Sequence, residues 1–455
     1  MKNYISINPF TEEVIESFDF ITNELLEENL QEAKNAFTFW RNSTFAHRAK
    51  CVLHLAELLK QHADELAHIA SLEMGKLQTE AKAEVLKSVR LCEYYATRSA
   101  DILQSKLSQS ETGASVEIKY EPLGVVLGIF PWNFPYWQVL RSAIPIIMSG
   151  NCILIKPAPN VPKSSLALQN LINQSGFKTG VIQTVFANEQ QIATIIEDDR
   201  IAATTLTGSK NAGSQVAKLS AQHIKKSVLE LGGSDPFIVL KDAHLETTLN
   251  SAIAARFQNN GQSCVSAKRF IVHKHIADAF LQGLINRIAE LKIGNPTDAG
   301  VNIGPLARKD LQVQLAQQVN ESVQAGAQLL YQTKQTPEKG FFYPLTILGN
   351  IPKNSPAYMQ ELFGPVISFY TYTDIQEAID IANGTEFGLG ASVWSADIMH
   401  AKHIANQIES GMVYINQIVK SDARFPFGGI KKSGFGRELG EFGLREFCNI
   451  KTIWI

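Results

Sequence analysis

Two series of short, uninterrupted apolar segments, each alternating with stretches of helical periodicity, constrain this chain more than any other feature. The first series occupies 124–130, 152–155, 181–186, 202–206 and 228–231, with helix-like spans at 137–148, 161–174, 189–195 and 212–219 between them. A strand that is apolar on both faces has no wet side, so it belongs in a parallel sheet with helices packed over it. The second series puts strands at 236–240, 269–272, 366–372, 391–394 and 412–416. Its helices fall at 245–258, 276–291, 308–325, 375–383 and 399–407. The two series meet near Gly232-Gly233. The fold class is therefore α/β with two parallel-sheet units, and 455 residues suit two or three domains of roughly 100–200 residues each.

The flanks read differently. Up to about residue 110 the pattern is helical: Leu26, Leu30, Ala33, Phe37 and Trp40 recur on one face, with Glu27, Glu28 and Lys34 between them. A second helix is expected over 46–74, stopped by Gly75, and a third over 80–105. The lysines and glutamates of these helices are expected on solvated faces. Ser115 to Tyr120 alternates polar and apolar residues, as a strand with one wet face does, and the tail at 449–455 is also β-like. Two isolated strands with open edges need a partner.

Charge and cysteine usage exclude several functions. A net charge of −2 and a pI of about 6.6 give no basic footprint for nucleic acid. The five cysteines are far apart and form no C-x-x-C pair, so neither a metal site nor a disulfide framework is indicated. That usage fits a reducing, cytoplasmic setting. No apolar leader and no run of about 18 apolar residues occurs, so no membrane partner is expected.

Several turns carry chemistry-bearing residues at strand ends, where ligands sit in a parallel sheet. Asn259-Asn260-Gly261-Gln262-Ser263-Cys264 places a thiol behind small and amide residues; it is either a small buried hydrophobe or a nucleophile. Pro131-Trp132-Asn133-Phe134-Pro135 offers an amide that either caps a helix or faces a ligand. Lys156 ends a strand, within reach of phosphate or ribose, or merely marks the strand end. Thr207-Gly208-Ser209 opens a helix containing Gly213, and backbone donors there suit an anion. Neither G-x-G-x-x-G nor a P-loop is present. Glu230 closes an apolar strand, where desolvation would raise its pKa toward that of a useful base, unless it is exposed or salt-bridged. Glu361-Leu362-Phe363-Gly364-Pro365 and the glycine-rich turn at 426–434 are structural or functional on the same footing.

Taken in order, these motifs resemble the NAD(P)-dependent aldehyde dehydrogenase superfamily, from about Asn8-Pro9 to the final strand. Within it the chain resembles the shorter bacterial succinate-semialdehyde dehydrogenases, notably at Glu230 to Leu240 and Phe435-Gly436-Arg437-Glu438-Leu439. The resemblance implies two Rossmann-like domains plus a small β bridging element. A cofactor domain would span 1–111 and 123–233, and a catalytic domain 234–432. Oligomerisation strands would lie at 112–122 and 447–455, with a helix over 433–446 joining them, in a homodimer or homotetramer.

It also implies roles. Cys264 attacks the aldehyde carbon. The amide of Asn133 and the N–H of Cys264 hold the oxyanion, a contribution of ~3–4 kcal/mol per donor. Glu230 activates the water that hydrolyses the thioester. NAD or NADP would contact Lys156 at the adenosine ribose, Ser209 near the pyrophosphate, and Glu361 with Phe363 at the nicotinamide ribose. Trp132 would lie beside the cofactor, and Gly208 and Gly213 belong to its turn. Arg141 resembles a carboxylate-binding arginine, and Ser421 its serine partner.

Three positions depart from the group. A second arginine, six residues before the cysteine, is replaced by Gln258, for which Arg424 is a candidate substitute. A glutamate that favours NAD is replaced by Pro159, so NADP should be tolerated. A resolving cysteine is replaced by Ser266. The alternatives are glutarate semialdehyde or an aliphatic aldehyde as substrate and, more remotely, an inactive structural relative.

Overall fold

The computed structural model describes residues 3–455. Its architecture is the α/β arrangement expected. In the first sheet the strand order is Gly434–Phe435, Lys226–Glu230, Ile201–Thr207, Val125–Ile129, Cys152–Lys156, Ile182–Thr184. Its pairings are parallel except at Gly434–Phe435, which runs antiparallel to Lys226–Glu230. The chain leaves Val125–Ile129 toward one edge, then returns to build the other side through Ile201–Thr207. The crevice between those two strands is a topological switch point, where ligands bind beyond the carboxyl ends.

The second sheet orders Gln328–Gln332, Thr346–Gly349, Val366–Tyr372, Ala267–His273, Asp235–Val239, Gly390–Trp394 and Met412–Ile415. Only the Gln328–Gln332 edge is antiparallel. Alternate residues of its strands feed different cores. Ile238 and Ile271 pack on one face, while Phe237, Val239, Phe270 and Val272 pack on the other. Both faces are dry, which is why these strands are apolar throughout. Helices such as Trp137–Met148 and Lys210–Gln222 cover the first sheet. Trp137–Met148 is buried along its whole length, and it is apolar apart from Gln138, Arg141 and Ser142.

Several local expectations need correction. The helix expected over 46–74 is two helices, Phe45–Gln61 and Ala63–Met74, broken where His62 leaves helical geometry. Strands Tyr4–Ile7 and Val14–Phe18 form a hairpin inside the stretch read as helical. The helix expected over 433–446 is confined to Gly440–Arg445, because Gly434–Phe435 pairs with the first sheet. The bridging strand at Ser115–Pro122 has two neighbours, Cys448–Trp454 and the unforeseen Lys106–Gln109. The acids and lysines of the early helices are not all solvated, for Glu73, Lys76 and Glu84 are buried.

Candidate active site

The carboxyl ends of the first sheet face the amino ends of the second. Cys264 precedes Ala267–His273 and so stands at that junction. The turn before it is built from the residue types that tolerate a left-handed backbone. Asn259, Asn260 and Gly261 have φ of 54°, 57° and 76°. Each is clamped. Asn259 N donates to the Glu80 carboxylate at 3.0 Å, and Asn259 Nδ2 donates to the Asn133 carbonyl at 2.8 Å. Asn260 Nδ2 donates to the carbonyls of Gly75 and Pro305, at 2.8 and 3.0 Å. A Cβ on Gly261 would come within 2.6 Å of the Gly364 backbone. The turn is therefore held by both halves of the chain, and the sulfur is fixed where they meet.

A residue that sequence reading missed completes the clamp. Lys268 Nζ donates to the Ser263 and Cys264 carbonyls, both at 2.8 Å, and pairs with Glu361 at 3.0 Å. It ties the Cys264 loop to the Glu361 carboxylate. Burial pushes the Cys264 thiol up to about 11, against the opposing pull of Arg141 and Lys268. The resting thiol is thus protonated at neutral pH and needs a proton acceptor before it attacks.

Asn133 follows the strand Val125–Ile129 and is buried. Its Nδ2 donates to the Gln262 carbonyl at 3.0 Å, and its Oδ1 accepts from Gln138 Nε2 at 3.1 Å. An amide nitrogen carries two protons, so one remains for an oxyanion. The loop holding Asn133 is anchored by Glu84. That carboxylate accepts the Tyr136 and Trp137 N–H groups, each at 2.9 Å, and pairs with the buried Lys76. An acid at the first turn of Trp137–Met148 satisfies free donors and the helix dipole.

Two cavities open on Cys264. One, of about 350 Å³, is a funnel lined by Lys87, Trp137, Arg141, Gln258 and Ser421. The other, of about 680 Å³, is a cleft lined by Trp132, Gly208, Ser209, Glu361 and Phe363. The cleft lies at the switch point, with Trp132 and Phe363 in edge contact at 5.9 Å between ring centroids. Ser209 caps Lys210–Gln222 by accepting the Ala212 N–H, so that helix directs its N-terminus at the cleft. Gly232 keeps the floor open, since a Cβ there would lie 2.2 Å from Glu361 Oε2. The aromatic wall formed by Trp132 and Phe363 and the phosphate site at the helix start suit a dinucleotide.

Some of the other expected site residues lie apart from these linings. Gly213 faces Leu231, whose Cδ2 would lie 2.5 Å from an added Cβ, so it serves helix–sheet packing. Lys156 ends its strand with Nζ 5.6 Å from the Tyr4 ring centroid, and burial pulls it down to about 8. Glu230 is buried with both carboxyl oxygens unpartnered, and its Oε1 would lie 2.5 Å from a Cβ on Gly428. Burial, then the nearby Glu438 carboxylate, raise its pKa well above the usual range. Arg141 faces the funnel, but it is already engaged: it pairs with Glu438, donates to Thr207 Oγ1 at 3.2 Å, and lies over Phe427 at 4.6 Å. Arg424 is an exposed side chain bound to Asp422 at 2.7 Å, outside the funnel lining. Gln258 does line the funnel, and its Nε2 is a buried donor with no partner.

Comparison with known proteins agrees with this geometry. The description "Aldehyde dehydrogenase family" matches residues 2–453. A succinate-semialdehyde dehydrogenase [NADP(+)] 1 of Mycobacterium ulcerans (strain Agy99) is 44% identical over 451 residues, covering 98% of each chain. A probable succinate-semialdehyde dehydrogenase [NADP(+)] of Synechocystis sp. is 44% identical over 450 residues, covering 99% of each. The crystal structure of succinic semialdehyde dehydrogenase from Streptococcus pyogenes, in complex with NADP+, superposes with a TM-score of 0.97. It is 35% identical and covers 99% of both chains. With a thiol at the meeting point of a cleft and a funnel, and relatives aligned end to end, this chain belongs to the aldehyde dehydrogenase family.

Proposed function

We propose that the protein oxidises succinate semialdehyde to succinate with NADP+. The observation that carries this reading is that one thiol, Cys264, opens on both a nucleotide-shaped cleft and a funnel with cationic and hydroxyl groups in its wall. The names of the relatives support both the acid aldehyde and the phosphorylated cofactor. Pro159 stands where an acidic side chain would repel a 2′-phosphate, which favours NADP over NAD.

In this reading the Cys264 thiol gives up its proton to solvent water in the funnel, the thiolate adds to the aldehyde carbon, and the Asn133 amide with the Cys264 N–H receives the new oxyanion. A nicotinamide cofactor would be held in the cleft by Trp132, Ser209, Glu361 and Phe363 and would supply the hydride acceptor. Cys264 is left as a thioester. Glu230 takes a proton from water, the hydroxide attacks the thioester carbonyl, and the thiol leaves with succinate formed. For this Glu230 must turn out of its buried position beside Gly428 and give up its proton. A water acceptor rather than coenzyme A follows from its presence.

The cofactor domain would comprise 1–111 and 123–233 and the catalytic domain 234–432, joined in a homodimer or homotetramer through 112–122 and 447–455. Five unpaired cysteines suit the cytoplasm, and among the described residues no helix is long and apolar enough to cross a membrane. The test is steady-state kinetics with succinate semialdehyde, glutarate semialdehyde and butanal against NADP and NAD. The highest kcat/KM is expected for succinate semialdehyde with NADP. A higher value for butanal would overturn the substrate reading, and one for glutarate semialdehyde would move it to the longer acid.

A further inference from the structure

Besides Arg141, the funnel wall holds Lys87, Arg90 and Lys420, cations that none of the motifs signalled. Glu80, Ala83, Glu84, Lys87 and Arg90 all line the funnel from one face of the helix Gln78–Ile102. The acids among them are occupied, Glu84 by Lys76 and two backbone N–H groups, and Glu80 by the Asn259 N–H. Lys87 is not occupied in this way. Its Nζ lies 4.0 Å from the centre of the Trp137 ring and donates to Ser421 Oγ at 2.6 Å. Among the described residues it forms no ion pair with a carboxylate.

Arg90 and Lys420 are exposed to solvent, so the contrast between Lys87 and Arg141 decides which inward cation is free to bind. Arg141 is neutralised by Glu438 and held by Thr207 and Phe427. A partly buried ammonium with only a hydroxyl and an aromatic face for company lacks the counter-charge that such burial demands. Beside it, Gln258 Nε2 is a second buried donor without an acceptor. An anion in the funnel would satisfy both.

Resting on the substrate reading above, we propose that Lys87 is the specificity residue that receives the distal carboxylate of the aldehyde, with Ser421 and Gln258 as its neutral donors. Arg141 then lends its charge at longer range. This explains how the chain manages without an arginine at position 258: the charge comes from a different helix. A lysine is a compact point charge whose protonation responds to its surroundings, so recognition here depends on pH in a way that arginine would not permit. The charged groups facing it are Glu84 and Arg90 on its own helix, Arg141 on Trp137–Met148, and Asp422 in the segment beside Ser421. Burial, with Arg141 next, pulls Lys87 down to about 7.

The experiment compares kcat/KM for succinate semialdehyde with that for butanal, which has the same chain length and no carboxylate. Wild type, Lys87→Met and Lys87→Arg are each measured as full-length protein with NADP. The ratio is expected to fall more than tenfold in Lys87→Met, through KM rather than kcat, and to recover in part in Lys87→Arg. A second readout needs no variant. The wild-type ratio should decline as pH rises through about 7, as Lys87 loses its proton, and the decline should be absent in Lys87→Arg. A wild-type preference for the acid aldehyde that survives in Lys87→Met, or a wild-type ratio flat from pH 6 to 9, would overturn the assignment while leaving the substrate reading intact. No preference in wild type would sink the substrate reading, and this assignment with it.

Discussion

Glu230 illustrates how far a residue type can be read and where its state must be seen. Its carboxyl is buried, unpartnered and close to the Glu438 carboxylate, so it holds its proton well above the usual range. A protonated acid cannot accept a proton from water. As the proposed base it must therefore deprotonate as it swings toward Cys264, and thioester hydrolysis should speed up as pH rises through its elevated pKa. Acylation does not need that base. Glu230→Gln is accordingly expected to lower steady-state kcat by about 10²–10⁴-fold while leaving a first-turnover burst of NADPH. The wild-type rise of kcat with pH should flatten in the variant. Stopped-flow absorbance at enzyme concentrations near that of the substrate reads both, and loss of the burst would show that Glu230 acts earlier than proposed.

At the scale of elements, Cys264, the proposed nucleophile, owes its position to one turn and one lysine. Gly261 combines φ of 76° with backbone atoms of Gly364 and Pro365 within 2.9 Å of where a Cβ would sit. Gly113 shares the positive φ, at 84°, but an added Cβ there meets nothing within 4 Å. Gly113→Ala should therefore cost only the conformational strain of about 1–2 kcal/mol. Gly261→Ala should cost more, because its Cβ must also displace the 364–365 backbone, and it should slow iodoacetamide labelling of Cys264. Thermal melts and labelling rates of the two variants, side by side, separate backbone strain from displacement of the turn.

The same elements mark what was legible in the chain. Strands such as Val125–Ile129 and Val366–Tyr372 could be read because both their faces are dry, so the apolar run is unbroken. Lys106–Gln109 and Gln328–Gln332 were missed because exposed edges carry no such run. The turn and strand-end residues around the thiol could be found because glycine, proline and asparagine punctuate the sequence there. Lys87 and Lys268 could not. A lysine facing a cavity and one facing solvent look identical in a helix or at a strand start, and only packing from distant segments distinguishes them.

For the whole molecule, the three-stranded sheet of Lys106–Gln109, Ser115–Pro122 and Cys448–Trp454 is the part that a single chain leaves unfinished. Its outer strands have open edges, and it displays Leu107, Ile450 and Trp454 at 74%, 62% and 64% exposure. Open edges bearing large apolar side chains invite pairing unless covered. The sheet is tied to the cofactor-binding half through Asn151 Nδ2, which donates to the Phe447 carbonyl at 2.9 Å. Ile450 and Trp454 pair with Tyr120 and Val116 on one face, so cover supplied there by a second copy would account for both, while Leu107, paired with Glu117, lies on the other face. The double variant Ile450→Lys, Trp454→Lys should then shift the protein toward monomer in size-exclusion chromatography with light scattering, and a wild type that is already monomeric at micromolar concentration would refute the role given to this sheet. The consequence for activity follows from where the site is built. The sheet contributes no residue to the lining of the funnel or the cleft. Dissociation should therefore lower the melting temperature well before it lowers kcat, whereas a parallel loss of both would mean that the neighbouring copy stiffens the helix Gln78–Ile102, which leads directly into Lys106–Gln109 and carries Lys87 into the funnel.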